Sequence, residues 1–369
     1  MIKGFIMKKR ILLIFIIIII IYFFCNDNKQ TIKIGFISSL SGKYSSIGHN
    51  ILNGFKLGFD EIDNKIGDKY IQIVVKDDYQ DENQTKKIVD DFLSSNIKII
   101  IGNSTSAMTK ITLNKLKNKE DTLLISVNSS SENFSKKDDN FIRLQAAINS
   151  KMYDPLSKYL INNHNKKMQI IYDSSNNLYS QNVIKSLKES FENKFNGKIV
   201  SLFKLENNYN NILKKLDTSS SIFIIANSID TAKLIQIFKL KRIKQIIASS
   251  GWAKDYQFIE EGGKAVEGVL FSTGYDNMSK EKQYLKFKNR YIKVFNEKPS
   301  SASIQAYETA KILKEALRYS TNAKDIKKYI LTKKIFKGLQ GEIEFDRYGD
   351  IKRNYILVEV NNQEFKLKR

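Results

Sequence analysis

Two short stretches carry residue types able to grip a small anion. Gly102 to Ser106 (GNSTS) and Asn128 to Ser131 (NSSS) each follow a compact apolar run. Both offer hydroxyls and free backbone N–H groups at or near a helix start, where unpaired amides and the helix dipole favour negative charge. Side by side they would make a cradle for a carboxylate. Ser106 could equally serve as a helix cap. Phosphate-loop chemistry is not expected, because GNSTS lacks the Gly-Lys-Ser/Thr ending and with it the lysine that reaches phosphate. The two histidines, His49 and His164, have no cysteine or second histidine at ligand spacing, and the serines lack an identifiable base. Neither a metal site, a cofactor site nor nucleophilic catalysis is therefore expected. Asp77, Asp78, Asp81 and Glu82 could in principle surround a cation, but acids between a strand end and a helix start usually serve as caps and turn residues. Trp252, the only tryptophan, is either a core residue or a surface for a ligand to pack on.

The elements that must position these loops begin with Thr31 to Asp77. Thr31 to Ser38 reads as a strand, Leu40 to Gly48 as a Ser/Gly-rich loop, and Tyr70 to Lys76 as a returning strand. Between them Ile51, Phe55, Phe59, Ile62 and Ile66 fall three or four residues apart and predict one helical stripe, with Gly54 and Gly58 on a neighbouring line that would let the helix lie close to a sheet. A right-handed βαβ unit opens its loops at the carboxyl edge of the sheet, where α/β proteins bind ligands. The same grammar continues with helices at 83–95 and 107–117 and strands at 98–101 and 122–127. It restarts with helices at 150–162, 180–194, 210–216 and 230–240 and strands at 168–172, 198–203, 221–226 and 245–249. After a strand at 268–273 come long helices at 280–296 and 302–319. Alternating segments at 341–346, 355–360 and 364–368 close the chain. The pattern predicts an α/β protein with two mostly parallel sheets, each flanked by helices.

At 369 residues and 42% hydrophobic, the chain is long enough for two lobes with separate cores. Its net charge of +22 comes mostly from lysines scattered among Asn and Ile rather than clustered with aromatics, so no nucleic-acid partner is expected. Lys8, Lys9 and Arg10 precede an apolar run, Ile11 to Phe24, of 14 residues. A spanning helix needs about 20 residues and a signal-peptide core roughly 7 to 15, so residues 1–24 read as an export signal. Cys25, the only cysteine, stands directly after that run. It is placed for lipidation, although Tyr22, Phe23 and Phe24 replace the usual residues before such a cysteine, which leaves an uncleaved anchor open.

The string KIGFISSLSGKYSSIGHNILNGFKLGFDEID also resembles the opening of the type I periplasmic binding proteins of the leucine/isoleucine/valine-binding family, the substrate-binding components of ABC importers. IIIGNSTSAMT, SSASIQAYETAKILKEAL and FKGLQGEIEFDRYGDIKRNYILVEV follow in that family's order and spacing. The resemblance implies two lobes joined by three crossings, near Leu144 to Ala147, Ser272 to Tyr275 and Phe336 to Gly341. The lobes would then be 31–147 with 274–339, and 148–273 with 340–369. It implies an exported, membrane-held solute-binding protein that captures an amino-acid-like or carboxylate-bearing metabolite and presents it to the importer's membrane subunits. An extracytoplasmic ligand sensor is the alternative.

By the same resemblance the ligand's carboxylate would be held by Ser106 and Ser130, with Asn128 lending backbone. Tyr179, in the loop before the 180–194 helix, would pack on the ligand, as would an aromatic that aligns with Ile47, with Tyr44 close by. A tyrosine position aligns near Asn227 and Ser228. The acid that binds an ammonium in branched-chain binders aligns with Gly251. A buried ammonium without a carboxylate is costly, so either Asp230 or Asp255 substitutes or the ligand is not an α-amino acid.

Overall fold

Alternating β-branched residues put the chain's first strand at the heart of a sheet. A computed structural model describes residues 30–61, 63–206 and 209–368; the expected export signal, Cys25 and Ile62 lie outside them. The first sheet contains β1 (Thr31–Ser38), β2 (Lys65–Ile66), β3 (Lys69–Asp77), β4 (Ile99–Gly102), β5 (Leu123–Ser126) and β6 (Phe141–Arg143), in the order β2-β3-β1-β4-β5-β6. Only β2 runs antiparallel to its neighbour. The second sheet begins with β7 (Lys167–Tyr172), β8 (Lys198–Lys204), β9 (Ser221–Ile225), β10 (Ile247–Ser249) and β11 (Leu270–Thr273). A separate two-stranded ribbon, β12 (Ile335–Gly338) with β13 (Gly341–Glu344), precedes β14 (Ile356–Val360) and β15 (Phe365–Leu367), which return to the second sheet as antiparallel strands beside β11.

Helices α1 (Ser45–Asp60), α2 (Glu82–Ser94) and α3 (Ser106–Leu116) serve the first sheet; α4 (Asp154–Asn162), α5 (Asn177–Lys188), α6 (Asn210–Leu213), α7 (Ser228–Leu240) and α8 (Tyr256–Gly262) serve the second. α5 continues in wider turns to Lys194. α9 (Lys282–Phe295), α10 (Ser301–Tyr319) and α11 (Ala323–Lys333) return to the first lobe.

Each sheet is covered on both faces, as parallel strands require. Phe36, Phe55, Phe59, Ile101 and Leu313 form one core of the first lobe, and Ile37, Phe92, Ile100 and Leu124 the other. Ile224, Phe238, Phe258 and Phe271 lie on one face of the second sheet and Leu156, Ile170, Leu187 and Phe223 on the other. Each such side chain contributes about 1.5–3 kcal/mol through burial.

The apolar stripe of α1 does face the sheet, but its glycines serve another neighbour. A Cβ at Gly54 would stand 2.3 Å from the Ser303 carbonyl oxygen, and one at Gly58 2.4 Å from Ala310 Cβ. Both contacts are with α10, so the close approach is helix to helix rather than helix to sheet. The third crossing also lies further along than the resemblance implied. Phe336, Ile343, Phe345 and Ile351 are buried in the first lobe's core, and Phe345 pairs with Ile351. The chain therefore passes to the second sheet through Lys352 to Tyr355, not through Phe336 to Gly341, because the apolar face of the ribbon needs the first core to cover it.

Candidate functional site

Between the lobes lies a cavity of ≈ 90 Å³, lined by both of them and by the crossings. That is well above the roughly 10–15 Å³ a cavity needs to hold a single water.

The first lobe supplies the loops after β4 and β5. Thr105, not Ser106, caps α3 by accepting from Met108 N. Ser106 Oγ is thereby left over, and both Ser106 and Ser130 line the cavity with hydroxyls that have no hydrogen-bond partner among the described residues. Asn128 Nδ2 donates to the Ser104 carbonyl at 2.9 Å, tying the two loops together. Ser129 and Ser131 are spent on structure: Ser129 Oγ bonds Thr109, and Ser131 Oγ donates to Asn182 of the second lobe. Asp81 caps α2, while Asp78 is buried and accepts from Ser39 and Asn103.

The second lobe contributes an aromatic wall. Trp252 is stacked on Tyr44 across the cleft, with ring centroids 5.6 Å apart and planes 8° apart, and meets the edge of Tyr179 at 5.5 Å. Trp252 and Tyr179 line the cavity, so the tryptophan is at once packed and part of the wall. Burial pushes the Tyr179 phenol up to about 12. Tyr179 stands in the first turn of α5 rather than in a loop, because the helix opens at Asn177.

Tyr44 and Asn227 do not line the cavity. Tyr44 covers Trp252 from outside and bonds Ser175, whereas Ile47 of the same loop is on the wall. Asn227 is a helix cap whose side chain accepts from Asp230 N at 3.0 Å and donates to Asp230 Oδ2 at 2.6 Å. Of the two acids considered for an ammonium, Asp255 reaches the wall and Asp230 does not. Asp255 already accepts from Phe258 N at 3.0 Å and Ser46 Oγ at 2.9 Å, and burial raises its pKa. Gly251 leaves space: no atom lies within 4 Å of where its Cβ would be.

The cleft is shut. Lys43 Nζ reaches Asp173 at 3.0 Å and Asp230 at 3.6 Å, Ser46 holds Asp255, and Glu132 pairs with Lys185 at 2.8 Å. Burial works against the Lys43 charge, but its acidic neighbours and Tyr44 outweigh that and raise its pKa. Both histidines are exposed.

The crossings supply residues that sequence reasoning did not single out. Gln145, Ala146, Thr273, Gly274, Tyr275 and Arg353 all line the cavity. Glu308, on α10, gathers the crossings together. Its carboxylate accepts from Leu339 N at 2.7 Å, from Arg353 Nη2 at 3.0 Å and from Tyr275 OH at 3.3 Å. One turn earlier, Gln305 Nε2 donates to Gln145. The Arg353 guanidinium also lies over the Tyr275 ring at 4.5 Å. No local signal marks Arg353 among so many basic residues; its importance arises from the return of the chain. Lys254 is the other unforeseen wall residue. It is 5% exposed, donates to Asn277 Oδ1 at 2.6 Å and Ser301 Oγ at 3.2 Å, and is lowered to about 7 by burial.

Four buried polar atoms of wall residues have no partner among the described residues: Asn176 Oδ1, Gln305 Oε1, Arg353 Nε and Tyr355 OH. Buried polar groups are rarely left so, and here both donors and acceptors belong to residues that line one cavity. Two α/β lobes joined by three crossings thus enclose a cavity lined by both polar and apolar residues. Residues 31–364 match the family described as periplasmic binding protein, and the chain belongs to that family. No curated protein is a match. Among solved structures, a leucine-binding protein LivK from Thermotoga maritima is similar with a TM-score of 0.83 at 18% identity, covering 92% of this chain and 98% of that one. The branched-chain amino acid transporter substrate-binding protein LivJ from Streptococcus pneumoniae, in complex with isoleucine, gives 0.83 at 21%, covering 92% and 99%. An ABC transporter solute-binding protein from R. palustris, in complex with benzoate, gives 0.83 at 15%, covering 91% and 95%. At such identities the likeness is one of fold.

Proposed function

We propose that the chain is the solute-binding component of an ABC importer and captures a small carboxylate-bearing or amino-acid-like metabolite by closure of its lobes. Residues 31–147 with 274–351 move as one lobe and 148–273 with 352–368 as the other, hinged at the crossings. The importer's membrane subunits recognise the closed form through surfaces on both lobes. Export and lipidation at Cys25 hold the protein at the outer face of the cell membrane. Catalysis plays no part. Ser106 and Ser130 donate their free hydroxyls to the ligand carboxylate, Asn128 fixes the loops that carry them, and Tyr179 and Trp252 pack against its body.

The observation that carries this reading is an interlobe cavity whose wall residues include buried donors and acceptors left unpaired among the described residues. Such groups are stabilised when a ligand pairs with them. Thermal-shift screening of amino acids, amides, urea and short organic acids tests it, since a ligand at 100 times its Kd adds about 2.7 kcal/mol. A screen in which no small carboxylate raises the melting temperature would overturn the reading. Small-angle scattering should show a smaller radius of gyration with the hit bound, and an unchanged radius would argue against hinge closure.

A further inference from the structure

The cavity holds more positive than negative hydrogen-bonding capacity. Two cations line it, Lys254 and Arg353, against one carboxylate, Asp255. Asp255 has both oxygens engaged by protein donors, Phe258 N and Ser46 Oγ. Each cation keeps an N–H that no oxygen of the described residues accepts. Arg353 spends Nη2 on Glu308 but leaves Nε without a partner among the described residues. An ammonium has three N–H donors; Lys254 directs two at the neutral oxygens of Asn277 and Ser301, lies over the Phe365 ring at 4.9 Å, and makes no ion pair among the described residues. Asp255 and Asp276 are the acids whose charge reaches it, and Asp276 directs Oδ1 to Met278 N.

The surroundings of Lys254 suit an anion. Ser300, Ser301 and Ala302, the cap and first turn of α10, line the cavity, and that turn contains no acidic residue. A 19-residue helix thus directs its positive end at the same wall. A buried ammonium with only neutral partners is costly, and an acid group arriving at the first turn of α10 relieves that cost.

Building on the carboxylate cradle of Ser106 and Ser130, we infer that Lys254 and the N-terminus of α10 hold a second acidic group, so that the ligand is a small dicarboxylic acid. Lys254 then selects against ligands with one acid group. It also couples binding to protons. A neighbouring carboxylate favours the charged amine and raises its pKa, so above about pH 7 binding takes up a proton and affinity falls as pH rises.

Calorimetry on the purified protein, with matched probes, tests this: succinate, glutarate, aspartate and glutamate against butyrate, valerate, 2-aminobutyrate and norvaline. The diacids should bind tighter than their monoacid partners by roughly 10- to 150-fold, the range a charge-assisted hydrogen bond supplies. Titration in two buffers of different ionisation enthalpy should show proton uptake for the diacids. Lys254→Met should bring each pair to within threefold and abolish the uptake; uptake that persists would assign the proton to Asp255 and overturn the role of Lys254. Monoacids that match diacids in the unmodified protein overturn the inference whether or not the variant folds. If those monoacids still depend on Ser106, the cradle survives. Failure of every probe to bind removes both.

Discussion

Glu308→Gln tests whether the crossings are held by one buried charge. Glu308 is 1% exposed and its partner Arg353 has a side chain 9% exposed. The carboxylate accepts three hydrogen bonds, one on Oε1 and two on Oε2. An amide of the same shape keeps a single oxygen and turns its NH2 either to Leu339 N or to Arg353, donor against donor. It also strips the guanidinium of its counter-charge. Breaking a buried pair from one side costs about 3–5 kcal/mol, because the remaining ion is uncompensated. Denaturant unfolding of the ligand-free protein should register that loss, and a double-mutant cycle with Arg353→Met should recover most of it, since removing both charges leaves none unpaired. The pair also joins α10 to the third crossing, so Glu308→Gln should speed ligand release by loosening the closed form. A loss below about 1 kcal/mol, the range of exposed pairs, would refute the claim that Glu308 holds the crossings.

Ser106→Ala and Ser130→Ala should each weaken carboxylate binding by roughly 10- to 150-fold, about 1.5–3 kcal/mol per charge-assisted bond, with the melting temperature of the free protein little changed; calorimetric affinities within twofold for both would take these serines out of the site. Gly251→Glu places an acid where a side chain meets no atom within 4 Å, and should shift preference towards ammonium-bearing ligands by a similar factor. An unchanged ratio of norvaline to valerate affinity would show that the position does not reach the ligand. Cys25→Ala should release the protein from the membrane fraction or leave it unprocessed, and membrane retention at the same mature mass would remove lipidation.

The fold was legible because it is written in local periodicity. The spacing of Ile51, Phe55 and Phe59 marks α1 and its buried face, and the runs at 99–102 and 221–225 are buried along their whole length. α11 was missed although Ala323, Ile326 and Ile330, all buried, keep helical spacing; the lysines between them hid the stripe. The Gly54/Gly58 line told that something comes close but not what, since spacing on one helix contains no information about which neighbour will fill the groove. The ribbon after Phe336 read as an appendage of the second lobe for the same reason: only the burial of Ile343 and Phe345 beside Phe336 decides which core it joins.

The site divides along the same physical line. Ser106, Asn128 and Ser130 follow strands that end at one sheet edge, so sheet topology alone brings them together, and all three line the cavity. Asn227 follows a strand of the second sheet in the same way, yet its short amide closes on Asp230 as a cap. Topology supplies the candidates, and local hydrogen bonding decides which are spent on the helix. Arg353, Gln305, Tyr275 and Lys254 could not be found that way. Gln305 and Glu308 sit on the buried face of α10, where a polar residue would ordinarily count against burial. Their partners come from crossings far apart in the chain: Gln145, Tyr275 and Arg353. A polar stripe on a buried helix face is therefore the one sequence feature that pointed to these crossings, and it acquires meaning only when three strands of chain converge on it.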